Sequence, residues 1–438
     1  MEANMQIFST EIISPSSKTP DHLKKLQLSY LDQQAPPVYV PLIFFYQADE
    51  LRGSISTNHV EISRQLKQSM SKALTSFYPL AGRIDHDNFV VDCNDNGATF
   101  IEARVCGKLM DVVQEPDIEK LKEYLPVDPT GGNIGDGTLV LVQVTYFDCG
   151  GIVLGMCFSH MLADFTSIMG FVNAWAATTR GESEFNQFTF DLASHFPPRD
   201  FLGSDFWQFF TSNKKLVTKR LVFDKEKCAS LKRVASSPSG STVKDPTRVE
   251  VVSALIWKNF IEVAKLNNLD AKKNFVAFNS VNLRPRTSPP HIMDNIFGNC
   301  FTTAIAFSGT TDVAKTDQST RVEEFHDLIS KLRMTFKSIN DEYIKEAKNG
   351  GNYVKNLSSL VALILKGEVG WCSLTSWTRF PVYEVDYGWG TPIWFCTTAF
   401  ALRNSAILVD NKCGDGIEAW VNMNQECIEM LETQIKLI

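Results

Sequence analysis

The sequence predicts an α/β protein made of two similar-sized mixed α/β domains, and three observations lead there. The chain has 438 residues, 44 % hydrophobic and 11 % aromatic, enough for more than one core at ~100–200 residues per domain. Apolar runs of strand character and segments of helical period alternate in both halves. A polar stretch near the middle, Arg180–Lys215, contains Pro197-Pro198 and no sustained period, and reads as an inter-domain linker. The expected division is residues 1–203, a linker at 204–215, and residues 216–438.

In order along the chain, Pro37–Tyr46 is an apolar strand. Glu61–Phe77 is a helix, because Ile62, Leu66, Met70, Leu74 and Phe77 recur at spacings of three and four. Pro79 ends it and Gly82 allows the turn. Short strands follow at Phe89–Asp92 and Thr99–Val105. Leu139–Phe147 and Ile152–Phe158, joined by Asp148-Cys149-Gly150-Gly151, form a hairpin. A helix runs from about Asp164 to Thr178. In the second half Lys219–Phe223 is a strand. Thr247-Arg248-Val249-Glu250 is a capping box opening a helix with apolar face Val252, Leu255, Ile256, Phe260 and Val263. Phe275–Val281 and Cys300–Phe307 are strands, and Arg321–Lys348 is one long amphipathic helix. Trp394–Phe400, Ala406–Val409 and Gly416–Trp420 are strands before a final helix.

Lys plus Arg number 43 against 50 Asp plus Glu, a net charge of −7. Polyanion binding draws on excess positive charge, so neither nucleic acid nor an anionic membrane is the expected partner. A small molecule is. The ten cysteines are scattered, with no Cys-x-x-Cys pair and no Cys/His cluster at zinc spacing, so no metal and no disulfide framework is expected. Met1–Lys18 lacks a basic region followed by an apolar core. The longest uncharged stretch, Asn295–Thr311, is too polar for a ~20-residue span. The expectation is a cytoplasmic monomer.

Nucleotide-binding loops are missing: Gly388-Trp389-Gly390 lacks the third glycine of the dinucleotide fingerprint. There is no Gly-x-Ser-x-Gly elbow and no His-Glu-x-x-His. What remains is His160-Met161-Leu162-Ala163-Asp164. On this motif alone the plainer reading is a turn histidine beside an Asp that caps the next helix. Context shifts the balance, because His160 falls where an apolar strand stops and before a helix begins, a rigid place to mount a reactive side chain. Imidazole, with an unperturbed pKa of ~6.5, accepts a proton near neutral pH.

His160–Asp164 together with Asp386-Tyr387-Gly388-Trp389-Gly390 resembles the two signatures of the plant BAHD acyltransferases, His-x-x-x-Asp and Asp-Phe-Gly-Trp-Gly, in that family's order. Secondary words agree: Tyr78-Pro79-Leu80-Ala81-Gly82-Arg83, Cys93-Asn94-Asp95-Asn96-Gly97, Val281-Asn282-Leu283-Arg284, Phe297-Gly298-Asn299 and Thr375-Ser376-Trp377. Within the family the chain is similar to alkaloid acetyltransferases of the vinorine synthase kind, as in Pro15-Ser16-Ser17-Lys18-Thr19-Pro20 and Phe223-Asp224-Lys225-Glu226-Lys227.

The resemblance implies two domains of the chloramphenicol acetyltransferase kind with a solvent channel between them. It implies acyl transfer from acetyl-CoA to a hydroxyl of a plant specialised metabolite such as an alkaloid, with the acyl-CoA as co-substrate and no tightly bound cofactor. His160 is then the general base. Asp164 orients it and pairs with Arg284. Thr375 and Trp377 donate to the oxyanion, Ser253 and Ser376 lie near the coenzyme, and Asp386, Gly388, Trp389 and Gly390 support the fold. Tyr387 stands where the family has Phe, adding a hydroxyl that must be exposed or hydrogen-bonded. Phe297-Gly298-Asn299-Cys300 also resembles a word of malonyl-transferring relatives, which leaves malonyl-CoA as an alternative donor. A catalytically silent small-molecule binder is the other alternative.

Overall fold

A computed structural model of the chain describes residues 5–47, 59–131, 137–199, 207, 210–211, 216–236, 243–266, 274–289, 291–309, 318–349, 353–398 and 401–435. The chain divides into two compact units. The first comprises Met1–Asp200, Asp294–Cys300 and Phe380–Ala401; the second comprises Phe201–Met293, Phe301–Arg379 and Leu402–Ile438.

Each unit contains a six-stranded mixed sheet. In the first, the strand order is Met5–Ile13, Ala98–Val105, Val140–Phe147, Ile152–Ser159, Tyr39–Tyr46 and Trp394–Cys396. All neighbours are antiparallel except Ala98–Val105 with Val140–Phe147. Tyr39–Tyr46 and Ile152–Ser159 are buried along their whole length. That is why both read as unbroken apolar runs with no polar alternation. In the second unit the order is Phe301–Gly309, Asn274–Asn282, Val369–Ser376, Ser405–Asp410, Ile417–Asn424 and Leu216–Phe223. Its helix Arg248–Leu266 packs Val252, Leu255, Ile256 and Trp257 into a core with Ala277, Leu374, Ala406 and Leu408 of the sheet. The capping box opens this helix as expected: Glu250 N–H donates to Thr247 Oγ1 at 3.1 Å and Thr247 N–H to Glu250 Oε2 at 2.8 Å.

Several expectations need correction. The Asp386–Gly390 motif, expected in the second domain, lies in the first unit. The cause is Trp394–Cys396, which joins the edge of the first sheet by pairing with Ile43–Phe45. Arg180–Lys215 is not a linker throughout, because Thr189 is clasped to the 295–297 segment by Thr189 N–H to Asn295 O (2.9 Å) and Phe297 N–H to Thr189 O (2.8 Å). Most of 204–215 lies outside the described residues. Arg321–Lys348 is two helices, Gln318–Ser338 and Asp341–Asn349. Asn340 Oδ1 accepts the Tyr343 N–H at 3.0 Å and so starts the second. Arg286 Nη1 takes the carbonyls of Phe336 and Ile339 at 2.7 Å each, satisfying the end of the first.

Candidate active site

His160 is presented by the end of a rigid strand. Ser159 N–H donates to Leu139 O and His160 N–H to Val38 O, both at 2.9 Å, so the backbone stays tied to its neighbours one residue past the strand. Leu162 N–H then closes a turn onto Ser159 O at 3.2 Å. Asp164 caps the helix Phe165–Thr179, its Oδ1 accepting the Ser167 N–H at 2.9 Å. The capping role that the sequence allowed for Asp164 is therefore real. Its second oxygen does other work, since Oδ2 accepts the Cys300 N–H at 3.0 Å.

That bond anchors a returning segment, 296–300, against the His160 turn. Phe297 sits among the rings of Phe77, Phe188 and Phe190, with centroids 5.8, 6.0 and 5.2 Å away. Ser167 Oγ donates to Gly298 O and accepts from Gly298 N, both at 3.0 Å. Gly298 has φ +135°, a conformation that strains an L side chain, and a Cβ there would also push on Leu192 Cδ2 at 2.6 Å, so glycine is favoured. The next residue is the one that matters to His160.

Asn299 is fully buried. Its Nδ2 donates to Asp32 Oδ1 at 3.0 Å and to His160 O at 2.9 Å. Both partners are acceptors, so the amide orientation is fixed and both amide hydrogens are used. Asn299 Oδ1 then faces His160 Nδ1 at 3.2 Å. An amide oxygen only accepts, so Nδ1 carries the ring proton and Nε2 carries the lone pair. Burial lowers the His160 pKa, opposed by its own backbone carbonyl, the Asp164 carboxylate, Asn299 and Ala163. The ring is half-buried by accessible surface yet closely surrounded by protein atoms. A lowered pKa keeps the imidazole neutral and available as a base at neutral pH.

The other sequence-chosen residues fall in two further places. Asp386, Gly388, Trp389 and Gly390 are in the first unit, beside Trp175, whose ring centroid is 5.0 Å from that of Tyr387. At ~1.5 Å rise per residue, Trp175 is roughly 16 Å along the helix axis from Asp164. Asp386 Oδ1 accepts the N–H groups of Gly388 (2.7 Å) and Gly390 (2.9 Å), and both glycines have positive φ, 103° and 109°. Tyr387 is neither exposed nor hydrogen-bonded: it is wholly buried and its hydroxyl has no partner among the described residues. Stacking on Trp389, at 5.5 Å, and edge contact with Tyr46, at 6.3 Å, hold the ring there.

Arg284, Ser253, Thr375, Ser376 and Trp377 belong to the second unit. Arg284 is buried, with its N–H and Nη1 at 3.0 and 3.5 Å from Asn282 Oδ1. Ser253 is buried in the helix Arg248–Leu266. Thr375 and Ser376 end the strand Val369–Ser376, and Trp377 N–H donates to Leu408 O at 2.7 Å. Asp32 and Asn299 were not among the residues singled out. The only trace of Asn299 was the Phe297-Gly298-Asn299 word, and Asp32 left none.

Among the described residues no group of three or more His, Cys, Asp or Glu could hold a metal ion. No described helix is long and apolar enough to cross a membrane. The ten cysteines are free thiols.

Two mixed six-stranded sheets and the two motifs, in this order along the chain, mark the protein as a transferase of the kind the motifs resemble. The Transferase family model matches residues 3–438, and the chain belongs to this family, that of the BAHD acyltransferases. It is 38 % identical over 438 residues to stemmadenine O-acetyltransferase of Catharanthus roseus, covering 99 % of this chain and 97 % of that one. It is 39 % identical over 440 residues to vinorine synthase of Rauvolfia serpentina, covering 99 % and 98 %. The crystal structure of vinorine synthase superposes with a TM-score of 0.82 over 98 % of this chain and 96 % of that one, at 38 % identity. A structure of F. sporotrichioides TRI101 complexed with coenzyme A and T-2 shares the fold at 16 % identity and TM-score 0.67, covering 93 % and 97 %.

Proposed function

We propose that this chain transfers an acetyl group from acetyl-CoA to a hydroxyl of a plant specialised metabolite, alkaloid-like in structure, with His160 as general base. The observation that carries the reading is the Asn299 amide, which assigns the proton to Nδ1 and the lone pair to Nε2. Nε2 takes the proton of the acceptor hydroxyl as its oxygen attacks the thioester carbonyl. The C–S bond of the tetrahedral intermediate then breaks, and the imidazolium returns the proton to the departing thiolate. An alcohol is a poor nucleophile at neutral pH, and a positioned base is worth roughly 10²–10⁴ in rate. A thioester is already activated, so a base suffices. The O-acetyltransferase names of the relatives support acetyl as the acyl group and an alkaloid-like alcohol as the acceptor.

In this reading Thr375 and Trp377 supply a hydroxyl and an indole N–H to the oxyanion, where one donor is worth ~2.7–4 kcal/mol. Ser253 and Ser376 contact the coenzyme, and Arg284 supports the fold. The protein acts as a cytoplasmic monomer. In this reading the Phe297–Cys300 word holds His160, and malonyl-CoA is the alternative donor.

The test is incubation with acetyl-CoA or malonyl-CoA and a panel of alcohols that includes stemmadenine, read by mass spectrometry. Acetyl ester is expected from the wild type. His160→Ala should lose at least ~10²-fold in kcat with an unchanged melting temperature. Retained turnover in His160→Ala overturns the base, and no acyl transfer to any alcohol supports the silent binder.

A further inference from the structure

We propose that Asp32 is a positioning residue for His160, acting through the side-chain amide of Asn299. This rests on reading His160 as the base.

Asp32 is 4 % exposed and accepts four hydrogen bonds. Two come from its own turn: Ser29 N–H at 2.9 Å and Ser29 Oγ at 2.6 Å, both to Oδ2. Two come from Asn299: the backbone N–H at 2.8 Å and Nδ2 at 3.0 Å, both to Oδ1. Among the described residues no Lys or Arg forms an ion pair with it. A buried carboxylate without a counter-ion is costly. Capping does not account for it. Asp32 follows Ser29 in a four-residue helix, Tyr30–Gln33, and the reciprocal cap uses Oδ2 alone. Oδ1 is engaged entirely by a residue far along the sequence that touches the catalytic ring.

Two consequences follow for His160. The first is orientation. Rotating the Asn299 amide by half a turn would set its oxygen against the Asp32 carboxylate and the His160 carbonyl, acceptor against acceptor. Asp32 thus locks the amide, and the amide selects the Nδ1–H tautomer. The second is charge. Burial raises the Asp32 pKa, and the hydrogen bonds it accepts from Ser29 and Asn299 oppose that shift and hold the carboxylate form. Once Nε2 has taken the hydroxyl proton, the ring is cationic, and this carboxylate one amide away favours that state. The logic is that of a carboxylate behind a catalytic histidine, with an asparagine interposed.

The variant that tests this is Asp32→Asn, which keeps the shape and removes the charge. Nitrogen-15 NMR of histidine-labelled protein reads the His160 ring directly, its signal assigned by its loss in His160→Ala. The wild type should show the Nδ1–H tautomer. In Asp32→Asn the ring pKa should fall by about half a unit, because a charge favouring the protonated form is gone. The acid limb of kcat/KM should move down with it. With acetyl-CoA and the alcohol that the panel identifies, kcat should drop about 10-fold or more while the KM for acetyl-CoA stays within about 3-fold. A merely structural Asp32 would lower the melting temperature and leave the ring pKa and tautomer as in the wild type. That result overturns the proposal. Should Asp32→Asn fail to fold, Asn299→Ala cuts the same link without touching the cap, and an unchanged ring pKa and tautomer there overturns it equally. If His160→Ala turns over, the base reading has failed. If His160→Ala is inactive while Asp32→Asn matches the wild type in both measurements, only the role of Asp32 has.

Discussion

The helix Phe165–Thr179 carries one family motif at each end, and the two motifs are held differently. At its start Asp164 divides its oxygens between Ser167 N–H and Cys300 N–H, and the adjoining Asn299 uses both amide hydrogens and its carbonyl oxygen. Near its finish Trp175 meets Tyr387 and Trp389 in an aromatic cluster, and Arg180 Nη1 donates to Asp386 O. In that cluster the Tyr387 hydroxyl and the Trp389 indole N–H have no partner among the described residues. At the first end the hydrogen bonds converge on the His160 turn. At the other they hold the Asp386 turn and the Trp175 indole, and the Tyr387 and Trp389 rings are held by packing. Directed bonds fix an imidazole to within a fraction of an ångström, which chemistry needs. Ring packing contributes stability without such direction. The expectation is that the longer and more recognisable word, Asp386–Gly390, is the scaffold end.

Trp389→Ala would separate the two ends most sharply. The ring is 2 % exposed, and deleting a buried Trp costs about 3–5 kcal/mol. Denaturant unfolding should show that loss, while kcat per folded molecule stays within about 3-fold of wild type. A drop of ~10²-fold in kcat with the fold intact would place the aromatic end in the chemistry and erase the contrast.

Asp164→Ala acts at the other end with a smaller loss of stability and a larger loss of rate. Removing the cap costs about 1 kcal/mol, and a buried Cys300 N–H left without its acceptor adds about 1–3 kcal/mol. Because Cys300 adjoins Asn299, the residue that holds the ring loses one of its anchors, and a displacement near 1 Å costs on the order of 10²-fold in kcat. Stability lost with kcat unchanged would reduce Asp164 to a cap alone.

How much of this was visible in the sequence follows the same division. Strands buried on both faces, such as Tyr39–Tyr46, announced themselves as apolar runs, and the Thr247–Glu250 box marked a helix start to the residue. The edge strand Met5–Ile13 did not. Ile7, Phe8 and Ile12 are all exposed and the register shifts between Ile7 and Ser9, so neither alternation nor burial marks it. The helix Tyr353–Leu365 and the strand Val369–Ser376 are further elements that the sequence reading does not contain. At the site, His160 and Asp164 were legible because they are four residues apart on one turn. Asn299 and Asp32 were not: their link spans 267 positions, and no local period or spacing encodes a hydrogen bond that only the fold closes. The break at Asn340 was hidden for a related reason, since the apolar spacing runs on through it while Arg286, far upstream, satisfies the carbonyls that the break exposes.

The smallest expected effect has the opposite sign. Tyr387 stands where the family motif has Phe, and its hydroxyl is desolvated with nothing to bond to among the described residues. An unmade hydrogen bond of this kind costs about 1–3 kcal/mol, and removing the oxygen gives part of that back, less the loss of packing around a small void. Tyr387→Phe should therefore raise stability by about 1 kcal/mol at neutral pH with no change in kcat. Burial also raises the phenol pKa well above its ordinary value of 10.0. A raised pKa means that the folded state resists ionisation, so its stability is lost as pH climbs beyond the unfolded value near 10.0. The alkaline arm of the stability curve should be shallower in Tyr387→Phe, read by denaturant midpoints from pH 8 to about 11. A lower midpoint at neutral pH would mean that the hydroxyl is bonded, for instance to a buried water. Tyr387 would then be held by a directed contact, as Trp175 is by Leu66 O and Ser69 Oγ, and the contrast between the two ends of the helix would narrow.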